Sequence, residues 1–154
     1  MGRSALLLAC GVMVSCSDPA APDPLGPRRT AWIPSASAVL AEANVTLSGY
    51  ADHSVVRDSA AWRAMWNRAL QADHPVPPLP TVNFDTSMVI MVVVPIASRV
   101  RVDSVVVYDL GSRAYVSSCQ IPSPLQVEVI PAEFVASPRS VSLEFDTRHV
   151  PKCW

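Results

Sequence analysis

Met88-Val89-Ile90-Met91-Val92-Val93-Val94 is an unbroken apolar run, and its reading decides the fold. Seven residues are far too few to cross a bilayer as a helix, which takes about 20. With no polar residue at alternate positions, the run suits a central strand buried on both faces. Each face of the sheet that contains it must therefore be covered.

Toward the N-terminus, Pro75, Pro77, Pro78 and Pro80 form a loop where no helix continues and no strand pairs. Ahead of that loop, Asp58 to Leu70 reads as the one convincing helix. Asp58 or Ser59 can cap it, and Trp62, Met65, Trp66 and Ala69 fall at i, i+3, i+4 and i+7 on one stripe. Arg63, Asn67 and Arg68 take the other side. The two tryptophans are read as core packed onto a sheet, in preference to a platform for stacking a ligand. Between Val39 and Tyr50, Val45 and Leu47 alternate with Asn44, Thr46 and Ser48, the pattern of a half-buried strand.

Beyond the central run, strands are expected at Val100 to Tyr108, Arg113 to Ser118, Leu125 to Ile130 and Val141 to Phe145. Gly111-Ser112, after Asp109-Leu110, suits a hairpin turn. Residues 38 to 154 include 21 valines, a content that favours strands. Strands in succession, one early helix and no helices to cross over between parallel strands give the expected class. It is α+β, a mostly antiparallel β-sheet arranged as a sandwich or partly open barrel, with one N-terminal amphipathic helix.

The chain has 154 residues, room for one domain, and a formal charge of -1 without a basic block, which excludes a phosphate-tracking nucleic-acid surface. Arg3, the apolar run from Ala5 to Val14, then Ser15 and Cys16 have the layout of a secretory signal peptide over residues 1–15. Met13-Val14-Ser15-Cys16 resembles a bacterial lipobox, which makes Cys16 the expected lipidation site. Cys10 is the weaker candidate, and an ordinary secreted protein with a chance cysteine is the alternative. A diacylated cysteine supplies the two chains that stable membrane anchoring needs. Residues 16–37, with Pro19, Pro22, Pro24, Pro27 and Pro34, read as a proline-rich tether. Trp32 and Ile33 are its exceptions, either docked on the domain or exposed. Residues 38–154 form the single globular domain.

Loss of Cys10 with the leader and lipidation of Cys16 leave Cys119 and Cys153. In an oxidising compartment these form one disulfide, or remain two buried thiols. His53, His74 and His149 stand alone, without the spacings of metal ligands, and no nucleophile elbow or phosphate-binding glycine loop occurs. No metal, cofactor or enzymatic activity is expected. The competing expectation is a small-ligand-binding or hydrolytic site assembled from distant residues, including Asp85, Arg99 and His149.

Two stretches carry a resemblance. One is Ala61-Trp62-Arg63-Ala64-Met65-Trp66, followed after the proline loop by Val82-Asn83-Phe84-Asp85-Thr86-Ser87-Met88-Val89-Ile90-Met91-Val92. The other is Gln126-Val127-Glu128-Val129-Ile130-Pro131 with Phe134-Val135 and Pro138. Together, over roughly residues 50 to 146, the chain resembles the C-terminal domain of the PrcB-type protease complex subunits, a family of exported bacterial proteins. It departs from that pattern at residues 95–102, which lack the family's glycine-rich turn. The resemblance implies a non-catalytic accessory domain of the cell envelope. Such a domain binds or stabilises an exported partner, with a protease as the named precedent. Arg99 and Arg101, beside the replaced turn, are the expected contact residues.

Overall fold

The computed structural model describes residues 22–45, 53–70, 75–94, 99–120 and 130–154. Their elements run, in order, β1 Arg28–Trp32, β2 Val39–Val45, β3 His53–Val56, α1 Ser59–Ala69, β4 Ser87–Val93, β5 Arg99–Tyr108, β6 Ser112–Cys119, β7 Ile130–Pro138 and β8 Leu143–His149. The strands form two four-stranded sheets, ordered β1-β5-β6-β8 and β2-β7-β4-β3. The sheets pack face to face as a sandwich, and α1 covers the outer face of the second. The signal peptide, Cys10, Cys16 and His74 lie outside the described residues. Among the described residues no helix is long and apolar enough to cross a membrane.

The central run is β4, buried on both faces as its composition dictates. Val89, Met91 and Val93 pack toward the helix with Trp62, Trp66 and Phe134. Met88, Ile90 and Val92 pack toward the facing sheet with Val100, Val102, Val105, Ala114 and Val116. Successive side chains of a strand point to opposite faces, so one seven-residue segment serves both cores.

The helix forms as its stripe predicts. Asp58 Oδ1 accepts from the Ala61 N–H at 2.8 Å and caps the first turn. Trp62, Trp66 and Ala69 are buried, with Met65 at the margin of the stripe. The indole rings pack edge-on, 5.1 Å apart, and both lie within 5.8 Å of the Phe134 ring. Their N–H groups donate to the proline loop, Trp62 to the Pro80 carbonyl and Trp66 to the Pro77 carbonyl, each at 3.0 Å. A loop that no strand can pair with is thereby bonded to the helix that precedes it.

Four features differ from the sequence expectation. The tether is not unpaired throughout. Arg28 to Ile33 is a proline-free stretch between Pro27 and Pro34, and its first five residues pair with β5 as β1. Trp32 docks against the intersheet core while Ile33 stays 72% exposed. Second, of the strand expected at Leu125 to Ile130 only Ile130 is described, and it opens β7. Strand β7 tolerates Pro131 and Pro138 because they stand at its two ends. Its partner β4 spans only Ala132 to Pro138. Third, the strand expected at Val141 to Phe145 is β8, which starts at Leu143 and runs on to His149. Fourth, β8 pairs with β6 in parallel. Among the described residues, the crossover between them contains β7, a strand of the opposite sheet, which returns the chain to its starting end. The predicted hairpin at Gly111 joins β5 to β6, with Tyr108 N–H bonded to the Gly111 carbonyl at 2.8 Å.

Candidate functional site

β1 ends at Trp32, opposite Val105, so among the described residues the first half of β5, from Arg99 to Val102, has no strand on that side. Buried Val100 and Val102 alternate with exposed Arg99 and Arg101, which lie on the outer face of the sheet. The Val102 N–H finds its acceptor across the sandwich. Glu133 of β7 reaches over from the second sheet, and its Oε2 accepts that N–H.

Glu133 is 4% exposed. Burial pushes its carboxyl up to about 7, opposed by the Val102 N–H, which favours the ionised form. Glu42, directly opposite on β2, adds to the rise. Arg101 lowers it slightly, and Asp103 raises it.

Asp103 sits where the β5–β6 register shifts between Val102 and Ser104. Such a bulge re-aims the side chain. Its carboxylate pairs with Arg101 at 2.8 Å and with Arg148 of β8 at 3.5 Å, and accepts from Ser117 Oγ. This chain of charges crosses the outer face of the first sheet.

The segment after β8 folds back over that face. Cys153 is disulfide-bonded to Cys119, with Cα atoms 5.3 Å apart. Arg99 Nη1 donates to the main-chain oxygen of Trp154 at 2.7 Å, and the Arg101 guanidinium lies 4.1 Å from the centre of the Trp154 ring. The two arginines singled out from the sequence are thus brought together on one tryptophan, where they stack and bond within the chain.

Between this cap and the second sheet lies a cleft of about 390 Å³, lined by Glu42, Arg99, Val100, Pro131, Ala132 and Trp154. On the opposite face of β2 lies a second, of about 460 Å³, lined by Leu40, Trp66, Leu70, Pro77, Pro78 and Pro80. Strand β2 forms the wall between them.

The distant-residue site does not assemble. Asp85 precedes β4, whereas Arg99 follows its far end. Seven residues of strand span roughly 20 Å. His149 sits beside Ser118, its Nδ1 3.5 Å from Ser118 Oγ. Among the described residues no three His, Cys, Asp or Glu side chains form a group that could hold a metal ion.

Glu42, Glu133, Asp103, Arg148 and Trp154 are the site residues that the sequence did not single out. Glu133 carried a signal, a lone charge in Ala132-Glu133-Phe134-Val135 between two prolines. The remaining residues belong to the site only through strand register and the disulfide. Compared with known proteins, the chain matches no family model, no curated protein and no solved structure.

Proposed function

We propose that this protein is a non-catalytic, lipid-anchored component of the bacterial cell envelope that acts through protein–protein contact. Its partner is an exported protein or envelope complex, and a protease is the partner class that the sequence resemblance names. Cys16 is the anchor, and the proline-rich segment before β1 spaces the domain from the membrane. The observation that carries this reading is the side of the sandwich where β1 stops. There a strand edge, two clefts and an arginine-bound tryptophan adjoin one another on the surface. Aromatic and arginine side chains are the groups that most often anchor protein interfaces.

The test is mild crosslinking of the native protein in its membranes, followed by purification and identification of what is attached. A defined exported partner recovered from wild type and lost from Arg99→Glu/Arg101→Glu supports the proposal. Repeated recovery of no partner overturns it. The intact mass of the membrane-extracted chain reads the anchor: cleavage before Cys16 with a diacylglycerol-sized increment is expected, and an unmodified Cys16 refutes that part.

A further inference from the structure

A two-sheet sandwich has four outer edges, and each must avoid pairing with a stray strand. Here three are guarded. Strand β3 is only four residues long. β1 carries Arg28 and Arg29 and an irregular register at Arg28–Thr30. β8 presents Glu144, Asp146 and Arg148, all exposed. The fourth, β2, reads Val-Leu-Ala-Glu-Ala-Asn-Val, seven residues with Glu42 as the one charge. It is terminal in its sheet, bonded only to β7 among the described strands.

Both faces of this unguarded edge open into clefts. Ala41 and Ala43 lie toward the helix side, with the cleft of Leu40, Trp66, Leu70 and the prolines, apolar except where Glu42 borders it at the strand edge. Glu42 lies on the other face, opposite Glu133, in the cleft with Arg99 and Trp154. An added strand sends alternate side chains to opposite faces. Strand addition at β2 would therefore place one set of side chains in the apolar cleft and the other beside Glu42.

The charges identify what fits. Arg99 is committed to Trp154. Glu42 is exposed, makes no ion pair among the described residues, and faces a second carboxyl, Glu133, in direct register. Like charges directly opposite are unfavourable, and a cation on an added strand, beside Glu42 on the side away from Glu133, offsets that repulsion.

We infer that the free edge of β2 is a strand acceptor for an extended segment of the partner protein in which apolar residues alternate with lysine or arginine, the basic residue facing Glu42. This rests on the protein-contact reading above and names its surface and the chemistry of its partner.

The probe is an end-blocked nine-residue peptide of alternating valine and lysine. Its counterpart alternates valine and glutamate, and a third has the first peptide's composition with a central proline. Binding is read by fluorescence anisotropy and by amide hydrogen exchange over residues 39–45. The lysine peptide is expected to bind and slow exchange in β2, with the glutamate peptide at least about fivefold weaker, from cross-strand charge pairs. The proline peptide should bind weakly or not at all. Glu42→Lys, at an exposed position that does not threaten folding, should reverse the preference between the two charged peptides.

Unaltered exchange in β2 at saturating peptide overturns the inference, as does equal affinity for both charged peptides or an unchanged preference in Glu42→Lys. Protection of β2 that grows with protein concentration in the absence of peptide also overturns it, since the occupant would then be a second copy. A partner captured by crosslinking while β2 stays unprotected refutes the strand acceptor alone. Protection of β2 by the lysine peptide with no partner captured refutes the envelope-contact reading alone.

Discussion

Replacing Glu133 by glutamine keeps the shape of the side chain and a carbonyl oxygen to accept the Val102 N–H, and removes the ionisable proton. In the wild type that carboxyl is raised from 4.5 to about 7, chiefly by burial between the sheets and further by Glu42. The folded state therefore holds the proton more tightly than the unfolded chain does. The stabilisation is complete below about pH 4.5 and is lost as the pH rises toward 7, beyond which it falls no further. At about 1.4 kcal/mol per tenfold difference in proton affinity, the loss across that window is about 3 kcal/mol. Glu133→Gln has no such window. Urea unfolding followed by tryptophan fluorescence, at intervals from pH 4 to 8, should show the wild type losing about 3 kcal/mol relative to the variant as pH rises. Taking the difference between the two proteins cancels the titrating groups that do not interact with Glu133. A constant difference across the range would refute the reasoning, because the carboxyl would then be titrating as if exposed. Glu133→Val serves as the control, since it leaves the Val102 N–H without its acceptor and, like the glutamine variant, has no carboxyl to titrate; it should be about 1–3 kcal/mol less stable than Glu133→Gln at every pH.

Cys153→Ser opens a loop closed at a sequence separation of 34, which chain-entropy arguments value at about 4 kcal/mol. Thermal unfolding with and without reductant should show the wild type falling to the level of the variant, and a variant insensitive to position 153 would refute the staple. Trp62→Ala empties the contact with Trp66 and Phe134 and leaves the Pro80 carbonyl unbonded, for a loss of about 3–5 kcal/mol by urea unfolding. Gly26 has φ 82° in the turn before β1, so Gly26→Ala should cost about 1 kcal/mol, and a stabilised variant would show that the turn relaxes. Ionised Glu133 adds to the negative charge beside Glu42. Binding of the valine-lysine peptide should therefore tighten severalfold as pH rises through 7 in the wild type, and stay flat in Glu133→Gln.

What was legible in the sequence was whatever one periodicity settles within one element. The run from Met88 to Val94 could be placed at the centre because a strand with no polar face needs cover on both sides. Trp62, Trp66 and Ala69 marked the helix face at a spacing no strand would share. Strands β1 and β7 were hidden by prolines that sit at their ends, where a missing N–H costs no ladder bond. The parallel pairing of β8 was hidden because its crossover lies in the other sheet, and no local pattern separates such a strand from a hairpin partner. Of the site, Arg99 and Arg101 stood out beside the replaced turn, yet their shared partner Trp154 is 53 residues further on than Arg101 and is brought to them by the pairing of β8 with β6 and by the Cys119–Cys153 bond.

The buried acid and the open cleft share one cause. Strand β1 stops opposite Val105, with Pro34 just beyond it. A longer β1 would bond the N–H groups of early β5 and fill the space beside them, and a carboxyl at position 133 would then be buried without its donor. Because β1 stops, the Val102 N–H is left without a strand partner, and an acceptor has to come from the facing sheet. β7 packs over β5, and its Glu133 supplies the oxygen. The cost is a carboxyl held far from water and directly opposite Glu42. That arrangement keeps a negative field on the one strand edge that lacks other protection, so the shortening of β1 creates both the cleft and the charge that selects what can pair beside it.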